Sequence, residues 1–208
     1  MAGALGAALE ASAQSRVIVL RGAGADFCIG RDMQPPAPGA RLSPEEVLKT
    51  DAQPMLALFD AWRSCRQPVL AVVRGRAWGI GTVFAALADV TYAAADATFR
   101  LGELERGIPP ALALSALIDR MPQKAVAHLV YSAEPIGAPA ALAAGLVSRV
   151  VEPAELEGAV DGFVARLLTF APATVCAVKQ YLRTAPRFSE AEAALYGSSL
   201  LANVLSSR

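Results

Sequence analysis

Three stretches of this chain carry residue types that could do chemistry. The first is Arg74-Gly75-Arg76-Ala77-Trp78-Gly79-Ile80-Gly81-Thr82, with three glycines in seven positions. An apolar run from Pro68 to Val73 precedes it and reads as a buried strand, and Ile80 to Ala88 reads as a helix. Glycine at such a handover permits positive φ and close approach of a ligand to the backbone. The first N–H groups of a helix have no intrahelical partner and sit at the positive end of its dipole. The turn is therefore suited to holding an oxygen that carries negative charge. Taken alone, it reads better as an ordinary tight strand-to-helix turn. The second stretch is Asp26-Phe27-Cys28-Ile29-Gly30-Arg31-Asp32-Met33, and the third is Gly102 to Pro110, a loop holding Glu103 and Glu105.

The remaining reactive side chains point elsewhere. His128 is the only histidine and lies within an apolar helical run, Ala125 to Tyr131, which suggests a structural role. Cys28, Cys65 and Cys176 have no metal-ligand spacing, and an odd count argues against a disulfide framework. No metal site is expected.

The elements that must position these residues are legible in outline. Leu5 and Leu9 mark a short helix over residues 3 to 14, and Arg16 to Arg21 reads as a strand. After a loop with Pro35, Pro36 and Pro38, Ser43-Pro44-Glu45-Glu46 is a helix start. That helix is expected to run to Cys65, with Leu48, Leu56, Phe59 and Trp62 in the core and a kink or division at Pro54. Asp89–Ala94, Ala97–Leu101 and Leu146–Val151 read as extended. Ala111–Arg120, Gln123–Ser132 and Pro139–Ala144 read as helices. From Pro153 the pattern is helical, broken at Pro172 and Pro186. Early strand–helix alternation with an all-helical end predicts α/β units carrying a helical appendage.

The bulk numbers narrow the function classes. The 208 residues are 54% hydrophobic and 18% charged, enough for one sizeable core. Nineteen basic and nineteen acidic residues cancel, and no Lys/Arg run stands out, so neither nucleic acid nor an anionic membrane is an expected partner. The amino terminus lacks a charged n-region, and no apolar run reaches the length of a membrane span. A cytoplasmic protein is expected.

Together these stretches resemble the crotonase superfamily, the enoyl-CoA hydratase/isomerase family, from about residue 5 onward. RVIVLRGAGADFCIGRDM (Arg16–Met33) is similar to the family's strand and first oxyanion loop. QPVLAVVRGRAWGIGTVFAALAD (Gln67–Asp89) is similar to the second. Residues Phe99–Pro110 resemble the pattern FGxPExxLGxxP, and Ala133–Val150 resembles GxxIxAxxAxxxGLVxxV. Four motifs in the right order are a specific signal.

The resemblance implies a crotonase-like α/β spiral of ββα units with a helical carboxyl-terminal part. Residues 1–152 would form the core and 153–208 an oligomerisation region, giving a homotrimer or dimer of trimers. It implies an acyl-CoA substrate and no cofactor beyond the coenzyme A of the thioester. The oxyanion hole would be the backbone N–H groups of Arg31 and Ile80. Substrate and coenzyme A would lie along Asp26, Phe27, Cys28, Gly30, Gly79 and Gly81, with Arg21 and Arg31 near the phosphates. Family hydratases use two glutamates. Here one position is Val83 and the other is Glu103, while Glu105 would point away if the backbone there is extended.

One carboxylate suffices to remove a proton at one carbon and return it at another, so double-bond isomerisation is the leading expectation. Hydration through Glu103 alone, or a degenerate binding or assembly subunit, are the alternatives. A peptidase of related architecture would have to use His128. The family's opening strand pair and NRPxxxNAL segment have no counterpart here. That implies an exposed sheet edge and weaker nucleotide binding, either because the start lies upstream or because the member is shortened.

Overall fold

The computed structural model describes residues 2–32 and 41–206, so Met33 and the loop with Pro35, Pro36 and Pro38 lie outside the described residues. Helix α1 (Ala2–Ala11) buries Leu9, and β1 (Ile18–Arg21) follows. Ser43 then caps α2 (Pro44–Val47) through a reciprocal pair. Its hydroxyl accepts from the Glu46 N–H, and the Glu46 carboxylate accepts from the Ser43 N–H at 2.7 Å.

The helix expected to run to Cys65 with a kink or division at Pro54 is three pieces, and the break comes before Pro54. A π-helical turn, Leu48–Ala52, separates α2 from α3 (Gln53–Ser64), which carries Pro54 in its first turn, where a missing N–H costs little. The wider turn resets the helical phase. Met55, Leu58, Phe59 and Trp62 face the core, whereas Leu48 and Leu56, expected there, are 57% and 39% exposed.

The glycine-rich stretch also holds one element more than the sequence suggested. All five residues of β2 (Val69–Val73) are buried. A second strand, β3 (Arg76–Trp78), comes before α4 (Ile80–Leu87). The pattern repeats with β4 (Val90–Ala94), β5 (Thr98–Arg100), a 3-10 turn at Leu104–Arg106, α5 (Ala111–Leu117) and α6 (Gln123–Ser132). Then come β6 (Ile136–Gly137), α7 (Ala138–Ala143), β7 (Arg149–Val151), α8 (Leu156–Leu168), α9 (Pro172–Thr184) and α10 (Glu190–Ser206).

Strands β1, β2, β4 and β7 form one parallel sheet in the order β1-β2-β4-β7. The second sheet has the order β3-β5-β6, with β3 and β5 parallel and β6 antiparallel. The turns β2-β3-α4 and β4-β5-α5 each contribute a strand to each sheet and then a helix, which makes a spiral of ββα units with helices at its carboxyl end. A parallel sheet covered on both faces needs continuous apolar strands, and β2 is one.

Helix α9 is fastened to this core by one ion. The Lys179 side chain is 9% exposed, with Nζ 2.8 Å from Asp89 Oδ2 and donating to the Gln67 carbonyl at 2.7 Å. The same Asp89 oxygen accepts from the Val69 N–H at 2.7 Å. No single helix among the described residues is long and apolar enough to cross a membrane.

Candidate active site

A cavity of about 400 Å3 opens where the two glycine-bearing loops meet the loop after β5. Ile29, Gly30 and Arg31 form one side and Trp78, Gly79, Ile80 and Val83 another. Arg100 and Glu103 form a third, and Met55, Phe59 and residues 108–113 supply apolar walls. A concave, mainly apolar site with a few convergent polar groups is the usual form of a ligand pocket.

The first loop is held by what lies just before it. Asp26 accepts from the Arg76 N–H at 2.9 Å and from its guanidinium at 3.0 and 2.6 Å. These bonds hold the Asp26 carboxyl below the usual carboxylate range. Phe27 is buried, and its N–H donates to the Arg74 carbonyl at 3.0 Å. Cys28 bridges to Ala77 beside β3, its N–H donating to the Arg76 carbonyl and its carbonyl accepting from the Trp78 N–H. A Cβ at Gly81 would overlap that Cys28 carbonyl, so Gly81 lets α4 pack onto the loop.

Asp26, Phe27, Cys28 and Gly81 therefore stand behind the cavity wall, whereas Gly30, Arg31, Gly79 and Ile80 line it. Gly30 has φ +125° and turns the chain so that Arg31 reaches the cavity. Gly79 has φ +54°, and its N–H donates to the Arg100 carbonyl at 2.8 Å. The buried Thr82 hydroxyl lies 2.6 Å from the Ala77 carbonyl, which closes the turn. Ile80 is the first residue of α4, and among the described residues neither its N–H nor that of Arg31 donates to a backbone carbonyl.

Glu103 is set against Gly79, which itself lies against Gly30. A Cβ built on Gly79 would stand 3.7 Å from Gly30 Cα and 3.8 Å from Glu103 Oε1. The other oxygen, Oε2, is buried and has no hydrogen-bond partner among the described residues. A buried carboxylate oxygen without a partner calls for an explanation, and a substrate proton is one. Val83, on the neighbouring wall, is 1% exposed and offers only hydrocarbon.

Glu105 differs from its expected place. The backbone at Leu104–Arg106 is a 3-10 turn rather than extended, and Glu105 reaches the same cavity, where it pairs with Arg100 at 2.5 Å. The Arg31 guanidinium turns to Asp51, 3.7 Å from its carboxylate and donating to its carbonyl at 3.3 Å. Arg21 joins Arg74 on Glu157, away from the cavity. His128 is exposed on α6. Trp78 and Arg100 line the cavity but were not candidates from the sequence; the available signal was a cation between Phe99 and Leu101 in the strand ATFRL.

Residues 1–207 match the enoyl-CoA hydratase/isomerase family. The chain is 34% identical over 167 residues to (E)-benzylidenesuccinyl-CoA hydratase of Thauera aromatica, covering 79% of this chain and 63% of the relative. It is 35% identical over 172 residues to a probable enoyl-CoA hydratase of Rhodobacter capsulatus, covering 82% and 65%. It thus spans less than two thirds of either curated relative. A solved enoyl-CoA hydratase of Mycobacterium smegmatis superposes with a TM-score of 0.89 at 26% identity, over 99% of this chain and 80% of that one. With that fold, this pocket and a match along nearly its whole length, the chain belongs to the enoyl-CoA hydratase/isomerase (crotonase) family.

Proposed function

We propose that the cavity binds an acyl-CoA thioester and that Glu103 moves a proton along its acyl chain, shifting a double bond. The thioester oxygen would sit between the N–H groups of Arg31 and Ile80. Glu103 would take a proton from the carbon beside the carbonyl of a 3-enoyl thioester, and the electron pair would pass to the thioester oxygen as an enolate. Two preorganised donors stabilise that charge without moving during reaction. Collapse of the enolate returns the same proton from Glu103 to the fourth carbon and leaves a 2-enoyl thioester.

The observation that carries this reading is the Glu103 carboxyl, packed against the Gly79 turn, with one buried oxygen that has no hydrogen-bond partner among the described residues, in a cavity that Val83 lines with hydrocarbon. Adding water asks for a second group to hold the water, and Glu105 is already paired with Arg100. Hydration is the second reading, favoured by the names of both curated relatives. Rates on 3-enoyl-CoA and 2-enoyl-CoA compared side by side decide between the two.

Helices α9 and α10 support assembly as a trimer. They bury none of their described residues and expose Leu182, Leu195 and Leu201 beside an apolar groove of about 310 Å3. Light scattering in solution tests the trimer.

A further inference from the structure

Arg100 touches both the Gly79 turn and the segment around Glu103. Its main chain closes the oxyanion turn: its carbonyl accepts from the Gly79 N–H and lies 3.0 Å from the Thr82 hydroxyl, and its N–H donates to that hydroxyl at 3.2 Å. Its side chain reaches the opposite way. Nε donates to the Ala133 carbonyl at 2.7 Å, and a terminal nitrogen pairs with Glu105 at 2.5 Å. The guanidinium also packs on the Trp78 ring, 5.4 Å from its centroid.

Two further observations mark the guanidinium as built in. A Cβ added at Gly102 would stand 3.3 Å from Arg100 Cζ, so the cation lies directly over the residue before Glu103. The family pattern set beside residues 99–110 has glycine at the position of Arg100 and proline at that of Gly102. This chain has its bulk at position 100 and none at position 102. Trp78 meanwhile carries a second guanidinium, Arg76, at 5.3 Å, which is fixed by Asp26. Asp26, Arg76, Trp78, Arg100 and Glu105 therefore form one continuous ladder. It runs from the first oxyanion loop, past the second, to the loop that carries Glu103.

We propose that Arg100 is a positioning residue: it fixes the 102–106 segment, and so the Glu103 carboxyl, relative to the N–H groups of Arg31 and Ile80. An exposed ion pair would contribute little. This one is different because a single planar fork meets a main-chain carbonyl, a carboxylate and an indole at once. Lysine, a point charge on a flexible stem, cannot reproduce that. The Gly79 turn is closed by main-chain atoms of Arg100 rather than by its guanidinium, and the apolar walls come from Met55, Phe59 and residues 108–113. Its loss therefore misplaces the proton acceptor while leaving binding nearly intact, and small misplacements are costly to rate.

The inference rests on the reading of Glu103 as the proton carrier, and the test separates the two. Arg100→Lys and Arg100→Met are compared with the intact protein for kcat and KM on enoyl-CoA, and for amide hydrogen exchange. Arg187→Met, which loses only an exposed pair with Asp119 on a remote surface, is the control. The expected result is a kcat lowered by at least about tenfold in both variants, with KM changed less than about threefold and the control unaffected. Amides of residues 103–108 should exchange faster in both variants, with α3 unchanged. Unchanged kcat and unchanged exchange overturn the positioning role, as does a rise in KM at constant kcat. An intact protein inactive on every enoyl-CoA overturns the reading of Glu103, and the exchange data then still decide whether Arg100 fixes the loop.

Discussion

Glu103 and Gly79 are in packing distance: a methyl group built on Gly79 would stand 3.8 Å from Glu103 Oε1. The hydrogen of Gly79 thus leaves open the space between the carboxyl and the turn into α4. Its backbone, at φ +54° and ψ −118°, is a conformation that only glycine adopts readily. Gly79→Ala should cost about 1–3 kcal/mol through backbone strain. It should also lower kcat by more than about tenfold by filling ligand space and moving the Ile80 N–H. Urea unfolding and turnover, measured on the same preparation, check both; normal turnover in the alanine variant contradicts the geometry.

The Asp26–Arg76 pair makes a prediction about acid. The carboxyl titrates below its usual range because of its hydrogen bonds to Arg76. A depressed folded pKa adds stability above the unfolded value, about 3.9, and that stability is lost as pH falls through the lower folded value. Asp26→Asn should accordingly be less stable than the parent at pH 7. The difference should shrink as pH falls below that unfolded value. Thermal unfolding across that window tests it, and a constant difference down to pH 2 would contradict it.

Lys179 should matter to stability far from the cavity. Replacing it with Met keeps the stem but leaves Asp89 with the Val69 N–H as its remaining donor among the described residues. Loss of one partner of a largely desolvated pair is expected to cost about 2 kcal/mol, toward the low end because Asp89 is partly open to water. A lower denaturation midpoint is the expected result. An unchanged midpoint would mean that α9 is held by its apolar contacts alone.

Much of this was legible in the sequence, and the misses have physical causes. The run from Pro68 to Val73 identified β2 because a strand in a covered parallel sheet must be apolar on both faces. Ser43 and Glu46 identified a helix start because their side chains satisfy its free N–H groups. Strand β3 was missed because it lies between Gly75 and Gly79 in a stretch read as one glycine turn, and β6 because it has only two residues. Leu48 and Leu56 were misplaced because the helical phase was carried through Pro54, whereas a π turn resets it. Glu105 was set aside on the assumption of an extended backbone, and a 3-10 turn brings it to the cavity. Arg100 stayed hidden because its importance lies in contacts with Trp78, Gly102 and Ala133, and only Gly102 is near in sequence.

The account stands most directly on Glu103. The measurement to make is isomerisation of a 3-enoyl-CoA by the intact chain and by Glu103→Gln, which keeps the shape of the side chain and removes its ability to carry a proton. The expected result is conversion to the 2-enoyl compound, lowered by about a hundredfold or more in the variant. Isomerisation that persists in Glu103→Gln at the parent rate would contradict the account and place the proton carrier elsewhere.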